Sequence, residues 1–237
     1  MSILPALQSA AIRLYGRRPT VFFGSSDKFE LELCDWANEV AKDIAQKHEW
    51  QALVRVEEFS GNGYVTEYPF PTDYDRQLMR SDLQAGNGWA FNYYRIADIN
   101  DYYAYRQDGI AGWPGIWTIY DDKLHVFPAP ATGSRAYYPY ISKNYAKDVD
   151  GVRKAEFTND TDSFILPERL LTLGIVWRWR ENKKLDYTAD LEAFNEALSM
   201  YASKDNGSRI IRRNSGMVIP NTYPAWPWEL GPKNLTP

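Results

Sequence analysis

The apolar residues near the N-terminus recur at helical spacing. A short amphipathic helix over residues 3–15 is predicted by apolar positions three or four residues apart, namely Ile3, Leu7, Ala11 and Leu14. A second helix is predicted over Asp27–His48, because Asp27 supplies a capping oxygen and Glu30 follows it at capping-box spacing. Its apolar face consists of Phe29, Leu33, Trp36, Val40 and Ile44.

Helical spacing returns near the C-terminus in two further segments. The first, Leu166–Arg180, has Pro167 in its first turn, where proline is favoured. Its run from Leu170 to Trp177 is apolar almost all round, which predicts burial on more than one side, and Gly174 would let a neighbour approach closely. The second segment, Leu185–Ser203, has one apolar stripe made of Leu191, Phe194, Leu198 and Tyr201.

Residues 50–164 have the pattern of a β-rich segment. Clusters of Gly, Pro and Asp recur along it, separated by runs of aromatic and β-branched residues. The predicted strands are Tyr64–Tyr68, Gly115–Tyr120, Lys123–Phe127 and Ser134–Ile141. The two middle strands form a predicted β-hairpin across Asp121-Asp122.

These patterns predict an α+β fold with four parts. Residues 1–49 hold the N-terminal helices, 50–165 form an inserted antiparallel β-rich domain, and 166–205 hold the C-terminal helices. The helices at both chain ends are expected to pack into one bundle, because each has an apolar face with nothing local to cover it. Residues 206–237 form an extended C-terminal arm.

The C-terminal arm has no helical period but is rich in apolar groups. Four prolines lie between Pro220 and Pro232, among tyrosine and tryptophan residues, and a basic run with Arg209, Arg212 and Arg213 precedes them. A flexible polar linker would lack these large apolar groups. Two interpretations therefore carry equal weight: an arm that docks on another chain, and a tail that wraps over its own domain.

Composition and charge narrow the class of protein. Hydrophobic residues make up 44% and charged residues 24%, as in an ordinary globular protein, but aromatic residues reach 15%. Such an excess suits interfaces or a β-rich core. The net charge of −4 argues against a general nucleic-acid coat.

The chain shows no sign of secretion or membrane insertion. Cys34 is the single cysteine, which excludes an internal disulfide. No stretch approaches the roughly 20 apolar residues that span a bilayer, and the N-terminus lacks the pattern of a signal peptide. We therefore expect synthesis in a reducing cytosol and no membrane partner.

The sequence contains no specific catalytic or metal-binding signal. The only histidines are His48, at a predicted helix end, and His125, in a predicted strand, and neither has a ligand partner at metal-site spacing. Composition leaves a glycosidase-type carboxylate pair open, but Asp121-Asp122 and Asp73 fit turns more simply. No catalytic residue, cofactor or metal is predicted.

Two groups of residues admit a binding role beside a structural one. Trp89, Trp113 and Trp117 would suit a sugar-stacking face, although burial in a core is favoured. Arg178 and Arg180, which alternate with tryptophans near a helix end, would suit nucleic acid, although stabilisation of the helix C-terminus is simpler.

Several segments together resemble a known family. Phe164–Leu171, Gly174–Arg180 and Leu185–Tyr187 resemble the head-to-tail connector adaptor proteins of tailed phages. Agreeing segments are Asn38-Glu39 leading to Trp50, Tyr68-Pro69-Phe70-Pro71-Thr72-Asp73-Tyr74, and Val126-Phe127-Pro128-Ala129-Pro130 before a Tyr-rich strand. The resemblance covers roughly residues 20–205. Its motifs are structural and moderately specific.

The resemblance implies a non-enzymatic adaptor ring in the virion neck. Such rings typically hold twelve copies, sit beneath the portal protein, contact the next tail or nozzle protein, and pass double-stranded DNA through the lumen without sequence-specific binding. The residues expected to form the bundle and ring are Phe29, Trp36, Val40, Trp177, Trp179, Phe194 and Tyr201. The portal-binding arm is expected to use Arg209, Arg212, Arg213, Ile219, Tyr223, Trp226 and Trp228.

Two alternative functions stay open at this point. One is a carbohydrate-binding or carbohydrate-cleaving tail-associated module, which would need an essential acidic residue. The other is a cellular scaffold protein with an aromatic binding arm. Polysaccharide pull-down and reducing-sugar release would identify the first alternative, and assembly with a portal would separate the adaptor hypothesis from the second.

Overall fold

The computed structural model of the chain describes residues 2–79, 81–85, 93–107 and 115–205. The α-helices within these residues are α1 (Leu4–Tyr15), α2 (Lys28–Lys47), α3 (Ile99–Gln107), α4 (Glu168–Asn182) and α5 (Thr188–Asp205). The strands are β1 (Val54–Ser60), β2 (Glu67–Pro69), β3 (Tyr74–Gln77), β4 (Gln84–Ala85), β5 (Tyr94–Arg95), β6 (Ile116–Tyr120), β7 (Lys123–Phe127), β8 (Arg135–Ser142), β9 (Ala146–Lys147), β10 (Arg153–Lys154) and β11 (Ser163–Phe164). The predicted α+β class is confirmed.

Helix α4 lies at the centre of the helical part and contacts α1, α2 and α5. Every residue from Leu170 to Trp177 is buried, so the predicted burial on more than one side is confirmed. Gly174 lies directly against α2, where an added Cβ would overlap Val40 Cγ1. The close approach predicted at Gly174 is therefore present, and it brings helices from the two chain ends together.

Helix α2 begins and ends close to its predicted limits. The Asp27 carboxylate accepts a hydrogen bond from the Phe29 amide at 2.9 Å, as expected of an N-cap. The Asp27 amide donates a hydrogen bond to Ser25 Oγ at 3.1 Å. In a capping box the Glu30 side chain would accept this hydrogen bond, so Ser25 replaces Glu30 as the acceptor. His48 is the C-cap, as predicted.

The strands form three sheets. The first has the order β1-β8-β3, with β4 also paired to β8; the second has the order β2-β7-β6-β5; the third has the order β10-β9-β11. All pairs are antiparallel except β5 with β6. The antiparallel character of the β-rich segment therefore holds apart from this one short pair.

The predicted β6–β7 hairpin is confirmed. Its register runs from Ile116 opposite Phe127 to Tyr120 opposite Lys123. The two turn residues, Asp121 and Asp122, have φ values of 50° and 52°. This left-handed pair matches the twist of the flanking strands, and Asp tolerates it better than bulky residues do.

Two elements differ from the sequence-based expectation. The predicted strand Tyr64–Tyr68 begins only at Glu67, because Asn62 Oδ1 accepts hydrogen bonds from the amides of Tyr64 (3.1 Å) and Val65 (2.8 Å) and turns the chain there. Helix α3 was not predicted. Asp98 begins it by accepting a hydrogen bond from the Asn100 amide at 2.8 Å.

The buried residues form two hydrophobic clusters. The first joins α1, α2, α4 and α5 with residues of the intervening segment, including Trp50, Ile141, Tyr145 and Phe164. The second lies between the first two sheets, where Trp117 meets Tyr138 edge-on with ring centroids 5.7 Å apart. The β9–β10–β11 sheet therefore packs with the helices. The division at residues 50 and 165 stays a prediction.

Some predicted features lie outside the described residues. These are the arm at 206–237, with all seven residues expected to bind the portal, and the tryptophans at positions 89 and 113.

Candidate interaction surfaces

The residues predicted to form the bundle and ring lie in the first hydrophobic cluster. Val40, Trp177, Trp179 and Phe194 are at most 8% exposed, and Phe29, Trp36 and Tyr201 are partly buried against them. The buried four therefore hold the helices of this chain to one another. Only the exposed edges of Phe29, Trp36 and Tyr201, together with other surface residues, are available for contact with a second copy.

The cations beside the tryptophans of α4 are engaged within the chain. Arg178 lies 4.5 Å from the centre of the Trp177 ring and pairs with Asp43 at 2.9 Å and Glu181 at 3.2 Å. Arg180 pairs with Asp190. Lys183 pairs with Glu32 at 2.8 Å and lies 5.4 Å from the centre of the Trp179 ring. These contacts favour a structural role over nucleic-acid binding.

Asn38 joins α2 to the end of the β-rich segment. Its side-chain Oδ1 accepts a hydrogen bond from the Phe157 amide at 2.7 Å, and its Nδ2 donates to the Phe157 carbonyl at 3.1 Å. The Tyr145 hydroxyl also donates to Asn38 Oδ1 at 3.2 Å. One side chain thus satisfies both backbone groups of a residue 119 positions away, which fixes helix and sheet relative to each other.

An exposed apolar surface lies at the C-terminal end of α1. Ile12 is 47% exposed and Tyr15 is 58% exposed, and residues three apart on a helix are neighbours. Tyr15 packs on Phe29, with ring centroids 4.7 Å apart, and Phe29 meets Trp179 edge-on. The partly buried Phe29 therefore connects this surface to the interior, and we call Ile12 and Tyr15 the α1 patch.

A second exposed surface is formed by α3. Its only buried residue is Tyr102, whereas Ile99, Tyr103 and Tyr105 are between 40% and 53% exposed. The Tyr103 hydroxyl donates to the Tyr120 hydroxyl at 3.0 Å, which ties the helix to the hairpin beneath it. Exposed tyrosines are common at interface hot spots. This surface was not predicted from the sequence, although Asp98, which caps the helix, is a signal in the sequence that could have indicated it.

His125 lies beneath α3 and is only 3% exposed. Its ring stacks on Tyr120 with centroids 3.5 Å apart, and neither ring nitrogen has a hydrogen-bond partner in the described part of the chain. Burial lowers the pKa of His125, and the Glu67 carboxylate, 4.0 Å from Nδ1, offsets this only in part. The face of the strand on which His125 lies is covered by α3, whose Tyr102 ring meets the imidazole edge-on.

Several carboxylates of the β-rich segment, including those considered for catalysis, have structural roles. Asp73 accepts hydrogen bonds from the hydroxyls of Tyr140 (2.8 Å) and Ser142 (2.7 Å). Asp121 and Asp122 form the hairpin turn. Burial acts to raise the pKa of Asp162, but Lys154 and the amides of Thr158 and Asn159 outweigh it and hold that pKa below its usual value.

The described residues do not assemble a metal or sugar site. Within residues 2–79, 81–85, 93–107 and 115–205, no group of three or more His, Cys, Asp or Glu side chains is placed to hold a metal ion. Trp117, which the carbohydrate hypothesis would place on a stacking face, is fully buried against Tyr138. The carbohydrate alternative therefore gains no support.

The last residue of α5 is fixed at the junction between the helices and the sheets. Asp205 Oδ2 accepts a hydrogen bond from the Gln51 amide at 2.9 Å and lies 3.5 Å from His48 Nε2. The His48 ring in turn meets Trp50 edge-on, with centroids 4.8 Å apart. The C-terminal end of α5 is thus hydrogen-bonded to Gln51 and lies next to His48, two residues that follow α2.

Comparison with known families identifies the class of protein. A sequence profile for the SU10 adaptor protein matches residues 4–219, which include every helix described above and the first part of the arm. The chain belongs to the SU10 adaptor protein family. This is a family of phage head–tail adaptors, so the resemblance to connector adaptors is confirmed. A search among curated proteins returns no significant match.

Membership of the SU10 adaptor family gives the chain a structural role in the phage virion, at the neck, in association with other neck proteins. The family points to a non-enzymatic role. Across the described residues, every helix is too short or too polar to cross a membrane.

Proposed function

We propose that the chain forms an adaptor ring that joins the portal to the tail and passes double-stranded DNA through its lumen. The observation that carries this proposal is the family match over residues 4–219. The expected ring has twelve copies, is assembled from chains made in the host cytoplasm, and contacts the portal on one side and the next tail or nozzle protein on the other.

The helical part is the proposed ring-building element. Helices from both chain ends share one core around α4, to which α1, α2 and α5 each contribute buried residues. The α1 patch supplies exposed apolar area for a heterologous contact, in which one surface of a copy meets a different surface of the next. Trp36 and Tyr201, both partly buried, add aromatic edges of the kind found at interface hot spots.

The β-rich part is the proposed contact with the next tail component. Its outer helix α3 has one buried residue and three exposed apolar ones, which is unfavourable for a surface that faces only water. Tyrosine combines an apolar ring with a polar hydroxyl group. Such a surface can therefore be exposed to water before assembly and buried against a partner after it.

The lumen is proposed to pass DNA without binding it. A chain with a net charge of −4 offers no general basic coat, and several arginines are already paired with carboxylates. Weak attraction to phosphate lets a duplex slide, because tight phosphate neutralisation would hold it in place.

The C-terminal arm is proposed to dock on the portal. Arg209, Arg212 and Arg213 supply charge, and Ile219, Tyr223, Trp226 and Trp228 supply large apolar groups separated by prolines. Ordering a segment of chain on a partner costs about 1–2 kcal/mol per residue in backbone entropy, which the contacts of the arm with the portal must offset. Assembly would then be sequential, because the arm gains its contacts only when the portal is present.

The decisive experiment is reconstitution with the portal ring encoded in the same genome. Negative-stain electron microscopy of the mixture should show an added collar with the rotational order of the portal, and should show which side the β-rich parts occupy. A portal that stays bare over a range of salt and pH would count against the adaptor ring.

Deletion of Ile219–Pro237 tests the arm separately. We expect the shortened chain to lose portal binding in a pull-down while its thermal melt stays nearly unchanged, because the arm's contacts are with another protein. A large fall in melting temperature would show instead that the arm belongs to the chain's own core.

A further inference from the structure

A hollow of about 470 Å³ lies at the C-terminal end of α5. Most of its wall is apolar, formed by Trp50, Ala52, Ile165, Leu166, Pro167 and Tyr201. Trp50 and Leu166 are buried at its base, whereas Ile165, Pro167 and Tyr201 keep part of their surface open. When an apolar group replaces water in such a concave apolar surface, the free energy falls because apolar area is removed from water.

The hollow begins where α5 ends. Lys204 and Asp205 complete its rim, and Asp205 is held there by the Gln51 amide at 2.9 Å. The Trp50 indole N–H donates to the Ile44 carbonyl at 2.8 Å, which keeps the base of the hollow in place. The next segment of the chain therefore starts at the edge of a preformed apolar surface.

The residues after Asp205 have the composition to turn back into this hollow. Asn206-Gly207 is a dipeptide that favours tight turns, and the first large apolar residues beyond it are Ile210 and Ile211. At about 3.3 Å per residue, a segment from Asp205 to Ile210 reaches at most roughly 17 Å, so these isoleucines stay close to the rim. The family match continues through this segment to residue 219.

We propose that Ile210 and Ile211 occupy the hollow of their own chain and so fix the base of the C-terminal arm; this inference rests on the proposed role of the arm in portal binding. The flanking Arg209, Arg212 and Arg213 then stay outside the hollow, free for the portal. A fixed base makes every arm of the ring leave its body in the same direction. Less conformational freedom is then lost when the arm meets the portal.

Photo-crosslinking of the full-length chain tests the occupant directly, without the portal. A diazirine-bearing amino acid at position 210 should crosslink to peptides that contain Trp50, Pro167 or Tyr201, whereas the same amino acid at position 219 should not. Mixing ¹⁴N- and ¹⁵N-labelled chains shows whether a crosslink lies within one chain. Crosslinks between differently labelled chains, or none to the hollow from position 210, would overturn the proposal.

Portal binding by substituted full-length chains tests the consequence. The double variant Ile210→Ser, Ile211→Ser should bind the portal at least tenfold more weakly, whereas Leu185→Ser, which changes a 51%-exposed leucine away from the hollow, should bind within twofold of the unchanged chain. Equal affinity of the double variant and the unchanged chain would refute the fixed base. If the unchanged chain itself fails to bind the portal, the adaptor proposal fails, while the crosslinks still report on the hollow.

Discussion

At the scale of single residues, Gly174 and Asn38 each join parts of the fold that are far apart in the sequence. Gly174 lets α4 approach α2, and Asn38 satisfies the backbone of Phe157. Neither residue has much apolar surface to bury. Gly174 matters because it allows close packing, and Asn38 matters because of its hydrogen bonds. Substitution of each residue therefore leads to a different prediction.

Gly174→Ala should destabilise the fold. Helix propensity alone favours Ala by up to about 1 kcal/mol, but the added Cβ overlaps Val40, and such overpacking costs about 1–3 kcal/mol. Urea denaturation measures the net loss. Adding Val40→Ala should recover part of it, so that the double variant loses less stability than the two single variants together. A stabilised Gly174→Ala chain would show that the two helices are not in close contact.

Asn38→Ala should also lower stability, by about 2–4 kcal/mol, because it leaves the amide and carbonyl of Phe157 without partners in a partly buried place. Denaturant titration again gives the value. Asn195→Ala makes the same change at an exposed position of α5 and should alter stability by about 0.5 kcal/mol or less. Similar small effects at both positions would contradict the bridging role of Asn38.

At the scale of elements, α3 is attached to the rest of the described structure through little buried surface. Tyr102 is its single buried residue, and beneath it lies a histidine whose pKa is lowered by burial. Groups that face His125 come from four elements: Glu67 of β2, Tyr120 of β6, Lys123 of β7, and Tyr102 and Arg106 of α3. The only carboxylate among them, Glu67, is already paired with Lys123 at 3.3 Å.

Attachment of α3 should therefore weaken in acid. An exposed histidine has a pKa of about 6.5, and the buried His125 has a lower one, so a released imidazole binds a proton more readily than a buried one. Stability from this site is complete above about pH 6.5 and declines below that pH. Amide exchange within Ile99–Gln107 should accelerate between pH 7 and pH 5.5 relative to α4, after correction for intrinsic rates. His125→Phe should remove this pH dependence, and an unchanged dependence in that variant would rule out His125 as its source.

Elements with a clear period could be predicted from the sequence, and those held by a few tertiary contacts could not. Helices α1, α2, α4 and α5 follow apolar residues at three- and four-residue spacing, and the hairpin follows alternation across Asp121-Asp122. Helix α3 has no such period, because only Tyr102 points inward. The burial of His125 depends on that helix and was missed with it. The exposed edges that would meet other copies have no periodic signature at all.

At the scale of the whole molecule, the two hydrophobic clusters share strands. Val54 and Ile141 pack towards the helices, whereas Phe59 and Tyr138, on the same two strands β1 and β8, pack in the second cluster. The two clusters are therefore connected by continuous paired strands.

The described part of the chain should consequently unfold in one transition. Trp177 lies in the first cluster and Trp117 in the second, so the fluorescence that is lost in the Trp177→Phe chain, relative to the unchanged chain, reports on the first cluster, and the loss in the Trp117→Phe chain reports on the second. We expect both to show the same denaturant midpoint as far-ultraviolet circular dichroism, after allowance for any stability change of the variant itself. Separate midpoints for the two clusters would show that they behave as independent domains.

The meeting of the two chain ends has a consequence for the chain while it is still on the ribosome. Helix α2 packs mainly against α4, which is synthesised more than a hundred residues later. The apolar face of α2 therefore stays uncovered until Asn182 has emerged from the ribosome. At about 5–20 residues per second, that wait is on the order of 10 s. During this time the nascent chain displays Leu33, Val40 and Ile44 without their final partners. Such a chain is a natural client for ribosome-associated chaperones, and its yield should depend on them more strongly than the size of the finished fold would suggest.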